Sequence, residues 1–351
     1  MRTVDVDIDV APEAGQQAGL TTAATICLPD EVPTDPVVCF AFTGGGYNRS
    51  YFTRDLLGDG TPSQAELHTS RGWIFVAVDH LGCGGSTRVR DMAEVTWQHL
   101  VDANESTVRG VMRLLSAPGC RDDLPTVESA RILGLGQSMG AALLILQQGQ
   151  NHTFQAVGVL GWSASHAVSW LPPGAPRSTP FYFPRGTDVG VMTRALHTTA
   201  MPEMAPDENG LPATAAGFHY DDVAREVVLA DLVDYPLRRG QLPFWATDVI
   251  PPSSMTMMSP GAVAAEAAMI RSPVFVGAGE RDVTPNPRSE PAAYLQSSDV
   301  TVYVQPRMGH MHNFASTRLT FWNRIHAWAE GVLVEPVPMT AGIDMATAGA
   351  N

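Results

Sequence analysis

Lysine is missing altogether from the 351 residues: all 22 basic side chains are arginine. That absence removes whole chemistries. A Schiff base to a pyridoxal cofactor, a P-loop lysine and Ser-Lys or Tyr-Lys dyads all need an amine that can lose its proton. Arginine holds its proton too tightly to substitute. Positive charge is scarce too, with 36 acids against 22 arginines and a formal net charge of −14. A nucleic-acid binder or a protein held on an anionic membrane needs a basic surface, so neither partner is expected.

Cysteine is equally sparse. Cys27, Cys39, Cys83 and Cys120 lie far apart and form no Cys-x-x-Cys pair. Zinc ribbons and redox dithiols are therefore not expected, and a chain of this length needs no disulfide framework. No stretch approaches the ~18 uninterrupted apolar residues of a membrane span. Residues 1–7 lack the apolar segment of a secretory signal, which points to a cytoplasmic protein.

What is present suits a chain that buries a sizeable core, with 44% hydrophobic and 17% charged residues. Val4, Val6, Ile8 and Val10 alternate with Asp5, Asp7 and Asp9, the period of a half-exposed strand, and residues 22–28 could pair with it. Continuous apolar runs follow at 37–42, 73–78, 131–135, 156–160, 273–277 and 300–304. Such runs read as strands buried on both faces, hence a mainly parallel sheet. Val108, Val111, Met112 and Leu115 predict a helix over 102–116, and 138–148 is nearly all apolar. Leu319, Trp322, Ile325 and Ala329 mark a last helix. The alternation predicts an α/β fold with a doubly wound sheet.

The rhythm breaks between 160 and 273, a span too long for a plain loop. A proline-rich stretch there contains Phe181, Tyr182 and Phe183, and Met192, Trp245 and Met257 lie further on. The segment either packs a small core of its own or forms a lid with apolar surface facing a ligand; its position favours the lid. The expected organisation is a strand extension at 1–34, core at 35–164 and 263–335, a lid at 165–262 and a loose tail at 336–351.

The strongest local signal is Gly136-Gln137-Ser138-Met139-Gly140, set between a predicted strand and a predicted helix. A sharp strand-to-helix turn exposes a serine hydroxyl, its glycines permit crowded backbone, and the Met139 N–H faces the site of a developing oxyanion. Gly134, Gly136 and Gly140 also spell a dinucleotide-type loop, but the acid that would hold a ribose is missing from 129–187. A base is expected after the last strand, where His310 follows Gly309 and His312 competes. An orienting carboxylate is expected after the penultimate strand, with Asp282 preferred and Glu280 as the alternative. Thr43-Gly44-Gly45-Gly46-Tyr47, after the first buried strand, offers bare backbone N–H groups for an oxyanion.

Together these motifs resemble the α/β-hydrolase superfamily over residues 35–333. The loop at 43–47 resembles its oxyanion loop, with Thr43 where many members have histidine. The segment Asp79-His80-Leu81-Gly82-Cys83-Gly84-Gly85-Ser86 resembles its D-x-x-G-x-G-x-S turn. The resemblance implies acyl transfer to water: Ser138 as nucleophile, His310 as base, Asp282 orienting the imidazole. Met139 and Gly45, with Gly46, would form the oxyanion hole. No metal or organic cofactor is implied. A serine nucleophile speaks against dehalogenase and epoxide-hydrolase chemistry, which this fold associates with aspartate. The expected substrate is a small, largely apolar ester, thioester or lactone. An acyltransferase and a non-catalytic ligand-binding protein are the alternatives, and the sequence is compatible with a homo-oligomer.

Overall fold

The computed structural model describes residues 1–10, 19–178, 182–198, 201–208, 210–232, 235 and 241–339. Phe181 and the tail beyond 339 lie outside the described residues. The strands are β1 (Arg2–Asp9), β2 (Thr21–Leu28), β3 (Val37–Phe42), β4 (Ile74–Val78), β5 (Ser129–Gln137), β6 (Ala156–Leu160), β7 (Val274–Gly279), β8 (Val300–Gln305) and β9 (Val337–Pro338). They form one sheet in the order β1-β2-β4-β3-β5-β6-β7-β8. β1 and β2 are antiparallel to their neighbours, whereas β4, β3, β5, β6, β7 and β8 run parallel. The burial of β1 alternates with its Asp residues outside, and β3, β4, β6 and β7 are buried throughout.

Helices α1 (Ser50–Thr53), α2 (Gln64–Thr69), α3 (Trp97–Ser116) and α4 (Met139–Asn151) occupy the first part of the chain. Those that follow are α5 (Val189–Thr198), α6 (Ala215–Phe218), α7 (Arg225–Leu232), α8 (Ala264–Met269) and α9 (Arg318–Val332). One core cluster joins α3, α4 and α8 to the sheet through residues such as Ile132 and Val157. The other joins α1, α2 and α9 through Phe75, Phe275 and Phe321. Helices thus cover both faces, as a parallel sheet requires. The carboxyl ends of the parallel strands share one edge, so the loops after β3, β5, β6, β7 and β8 emerge together. No helix among the described residues is long and apolar enough to cross a membrane.

Four local features differ from the sequence-based expectation. Strand β8, read as buried on both faces, is only half-buried, because it lies at the edge of the sheet. Helix α3 begins at Trp97 rather than near 102, because Thr96 caps it by accepting the His99 N–H. On α9, Leu319 is 37% exposed, and the buried face runs through Arg318, Phe321, Trp322, Ile325 and Ala329. Arg318 takes the inward position because Asp59 binds its guanidinium at 2.8 Å. In the segment read as a loose tail, Val337–Pro338 pairs with β5, and Met339 is buried with its N–H on the Glu128 carbonyl.

Helix α9 is clamped to α2 by an aromatic stack. His68 and His326 meet at 3.2 Å between their Nδ1 atoms, and each ring lies 4.4 Å from that of Trp73. Burial pushes the His68 imidazole well down, helped by His326 and Arg71. Burial, then the charge of Arg71, pushes His326 to about 4. A base depressed in the folded state binds fewer protons there than in the unfolded chain. Its stabilising contribution is therefore full above the ordinary histidine range and lost as pH falls toward 4. We expect His326→Asn, whose amide takes the place of Nδ1 beside His68 without titrating, to flatten this slope. Urea midpoints at about pH 7 and about pH 5 should differ less in the variant than in the unaltered protein.

Candidate active site

β5 passes into α4 through a single residue, Ser138, whose backbone stands at φ 55°, ψ −119°. A non-glycine residue held there costs on the order of 1–3 kcal/mol, so the surroundings must enforce it. They do so by close approach. A Cβ on Gly136 would overlap the backbone of Gly140 and Ala141, and one on Gly140 would overlap the carbonyl oxygens of Phe42 and Thr43. The start of α4 is thereby pressed onto β3 and β5, and the serine side chain is forced outward at the sheet edge. The dinucleotide alternative fails on the same geometry: Gly134 lies inside β5, and Leu144 and Phe154 fill the space beside it.

The loops after β5, β7 and β8 bring Ser138, Asp282 and His310 into one line. His310 Nε2 lies 2.9 Å from Ser138 Oγ, and its Nδ1 lies 2.7 Å from Asp282 Oδ1. Asp282 also accepts the N–H groups of Val283 at 2.7 Å and Gly279 at 2.8 Å. Burial opposes its ionisation, but the charges and hydrogen bonds of His310 and His312 outweigh it and hold the carboxyl well below the usual range. Glu280, the alternative acid, is exposed and accepts the Arg307 N–H instead. His312, the alternative base, lies behind the carboxylate, with Nε2 2.8 Å from Asp282 Oδ2.

Other contacts hold the His310 ring. Gln137 Nε2 donates to the His310 carbonyl at 3.0 Å, tying the turn before Ser138 to this loop. Gly161, at φ 59° after β6, leaves room for the ring, since a Cβ there would stand 3.1 Å from His310 Nδ1. The His310 and Met311 N–H groups donate to the carbonyls of Gly217 and Phe218, and the Phe218 ring stands edge-on to His310 at 5.3 Å.

On the other side of Ser138 lies the glycine loop. Met139 is the first residue of α4, a position whose N–H has no acceptor within the helix. Gly45 packs beside it: a Cβ there would sit 3.5 Å from Met139 Sδ. Ile250 covers Gly45 and Gly46, and Tyr235 donates its hydroxyl to the Gly45 carbonyl at 3.4 Å. Thr43 is buried, bonds the Tyr47 carbonyl through its hydroxyl, and offers its own carbonyl to His80 Nε2 at 2.9 Å. The loop is therefore closed without a histidine at position 43. Among the described residues, no group of three or more His, Cys, Asp or Glu is placed to hold a metal ion.

The model of a protein family described as the alpha/beta hydrolase family matches residues 37–320. The chain belongs to that family. No curated protein sequence matches it. Among solved structures it is similar to a thermophilic esterase from Thermogutta terrifontis, with 13% identity, 94% and 100% of the two chains covered and a TM-score of 0.57. It is also similar to a monoacylglycerol lipase from Paleococcus ferrophilus, with 16% identity, 89% and 98% coverage and a TM-score of 0.54. A proline iminopeptidase from Mycobacterium smegmatis gives 15%, 94% and 97%, and 0.53. The likeness to all three is one of fold.

This α/β hydrolase also contains a buried hub that motif reading missed. Asp231 of α7 is fully buried and accepts Tyr47 Oη at 2.7 Å and Trp245 Nε1 at 2.9 Å, with His219 Nε2 at 2.8 Å. Tyr47 belongs to the glycine loop, and His219 follows Phe218, which touches His310. The segment between β6 and β7 therefore grips both sides of the site. A single acid within the otherwise apolar run Val228-Leu229-Ala230-Asp231-Leu232 was the available signal. Asp231→Ala strands three buried donors, and we expect it to cost about 3–5 kcal/mol of stability. Urea unfolding checks this, with Leu229→Ala as a control expected to cost less.

Proposed function

We propose that this α/β hydrolase is a serine hydrolase that cleaves a carboxylic ester of a small, largely apolar substrate through an acyl-enzyme on Ser138. The observation that carries the reading is the continuous hydrogen-bond line from Ser138 Oγ through both nitrogens of His310 to Asp282. The strained backbone of Ser138 supports it, because strain of this kind is retained where a side chain must be presented.

In this reading Ser138 Oγ attacks the ester carbonyl while His310 Nε2 takes its proton. Asp282 keeps the other proton on Nδ1 and stabilises the imidazolium. The carbonyl oxygen becomes an oxyanion held by the N–H groups of Met139 and Gly45, with Gly46 alongside. Each such donor contributes about 2.7–4 kcal/mol to lowering the barrier. Collapse expels the alcohol, which leaves with the proton from His310. Water, deprotonated by the same histidine, then attacks the acyl-enzyme, releases the acid and restores Ser138.

Residues 165–262 act as a lid in this scheme. Phe218 at the base, with Tyr235 and Ile250 over the glycine loop, supports an apolar acyl or alcohol group. Labelling with a fluorophosphonate tests the mechanism. We expect one adduct, mapped to Ser138 and lost in Ser138→Ala and His310→Ala. Turnover of short ester substrates should fall by at least about ten-thousandfold in both variants, with unchanged circular dichroism. Retained turnover in Ser138→Ala would overturn the reading.

A further inference from the structure

One carboxylate here serves two histidines. Asp282 Oδ1 accepts from His310 Nδ1 and the Val283 N–H, and Oδ2 accepts from His312 Nε2 and the Gly279 N–H. Four donors match the four acceptor sites of an ionised carboxylate. His312 is not placed there by chance packing. It opens the turn His312–Phe314, its N–H donates to the His310 carbonyl at 3.1 Å, and its ring stands edge-on to Phe321 of α9 at 4.8 Å. The next residue, Asn313, is tied to the Tyr51 hydroxyl and carbonyl and to Trp322 Nε1. The His312 ring is therefore packed on Phe321 while its Nε2 faces the acid.

We propose that His312 is a positioning residue of the reaction assigned above, holding Asp282 from the side opposite His310 and sharing its negative charge between two imidazoles. The role rests on that reading. It has two physical consequences. The carboxylate plane is locked, so the Nδ1 proton of His310 always finds Oδ1. The negative charge of the carboxylate is also divided between two imidazoles, so that removing one leaves the whole of it to the other.

Other charged and titratable groups surround this cluster on each packed element. Glu280 and Arg281 flank Asp282, and Arg281 is paired with Asp221. Arg307 precedes the base and is paired with Asp222. His219 and Asp231 form their own buried pair in the insertion, and Tyr51 faces the turn after His312. None of these hydrogen-bonds to Asp282 among the described residues. His312 is therefore the side chain whose removal changes the donor count on that carboxylate without touching Ser138 or His310.

The test is the pH dependence of the rate at which a fluorophosphonate labels Ser138. We expect His312→Leu to label about tenfold more slowly at its optimum, with the acid limb moved up by about half to one pH unit. His312→Gln, whose amide N–H reaches as far as Nε2, should return the limb to that of the unaltered protein. Labelling of His312→Leu with an unmoved limb overturns the proposal alone. Absence of labelling in the unaltered protein removes the hydrolase reading as well. If His312→Leu does not fold, proton NMR of the unaltered protein decides. Among the slowly exchanging imidazole N–H resonances, two are expected to be lost in Asp282→Asn, and loss of a single one overturns the role.

Discussion

The architecture turns on the crowding between the first turn of α4 and the ends of β3 and β5. Nothing larger than hydrogen fits at Gly136 or Gly140. With both positions bare, the helix starts one residue beyond the strand, and Ser138 must adopt a backbone that its own side chain disfavours. That local penalty is met by the burial of the whole face of α4 from Ala141 to Leu146. The same arrangement sets the direction of the helix, so its first free N–H lies beside the serine it displays.

Parallel strands do the rest of the gathering. Because β3, β5, β6, β7 and β8 all end at one edge, residues separated by more than a hundred positions become neighbours without any long reach. The glycine loop, the serine, the acid and the histidine each leave a different strand end. The segment between β6 and β7 then packs against two of these loops. It meets the His310 loop through the Gly217 and Phe218 carbonyls and the glycine loop through Asp231 and the Tyr47–Ala246 bridge.

Much of this was legible in the sequence, for reasons that differ by element. Runs such as 37–42 and 156–160 are continuously apolar because both faces of those strands are covered, so their number and order could be read directly. The elbow was legible because the contact at Gly136 and Gly140 leaves a glycine signature at fixed spacing. Asp282 and His310 followed from their places after β7 and β8. The start of α3 was missed because the cap, Thr96, lies ahead of the periodic face that was used to find the helix. Leu319 misled because an ion pair between Arg318 and Asp59, distant in sequence, rotated the first turn of α9. The relation of His312 to Asp282 and the convergence of Tyr47, His219 and Trp245 on Asp231 depend on tertiary contact, which no local pattern records.

A segment that grips His310 on one side and the glycine loop on the other is not a detachable module. Its backbone carbonyls hold the His310 loop, and its buried acid holds Tyr47 of the glycine loop. In the proposed hydrolase, substitutions inside this segment would therefore be felt in rate as well as in selectivity, and exchange of the whole segment would carry away much of what holds the His310 loop and the glycine loop. In that reading, a change in substrate range would have to leave Gly217, Phe218 and Asp231 undisturbed, which restricts the accessible routes to the residues between these anchors.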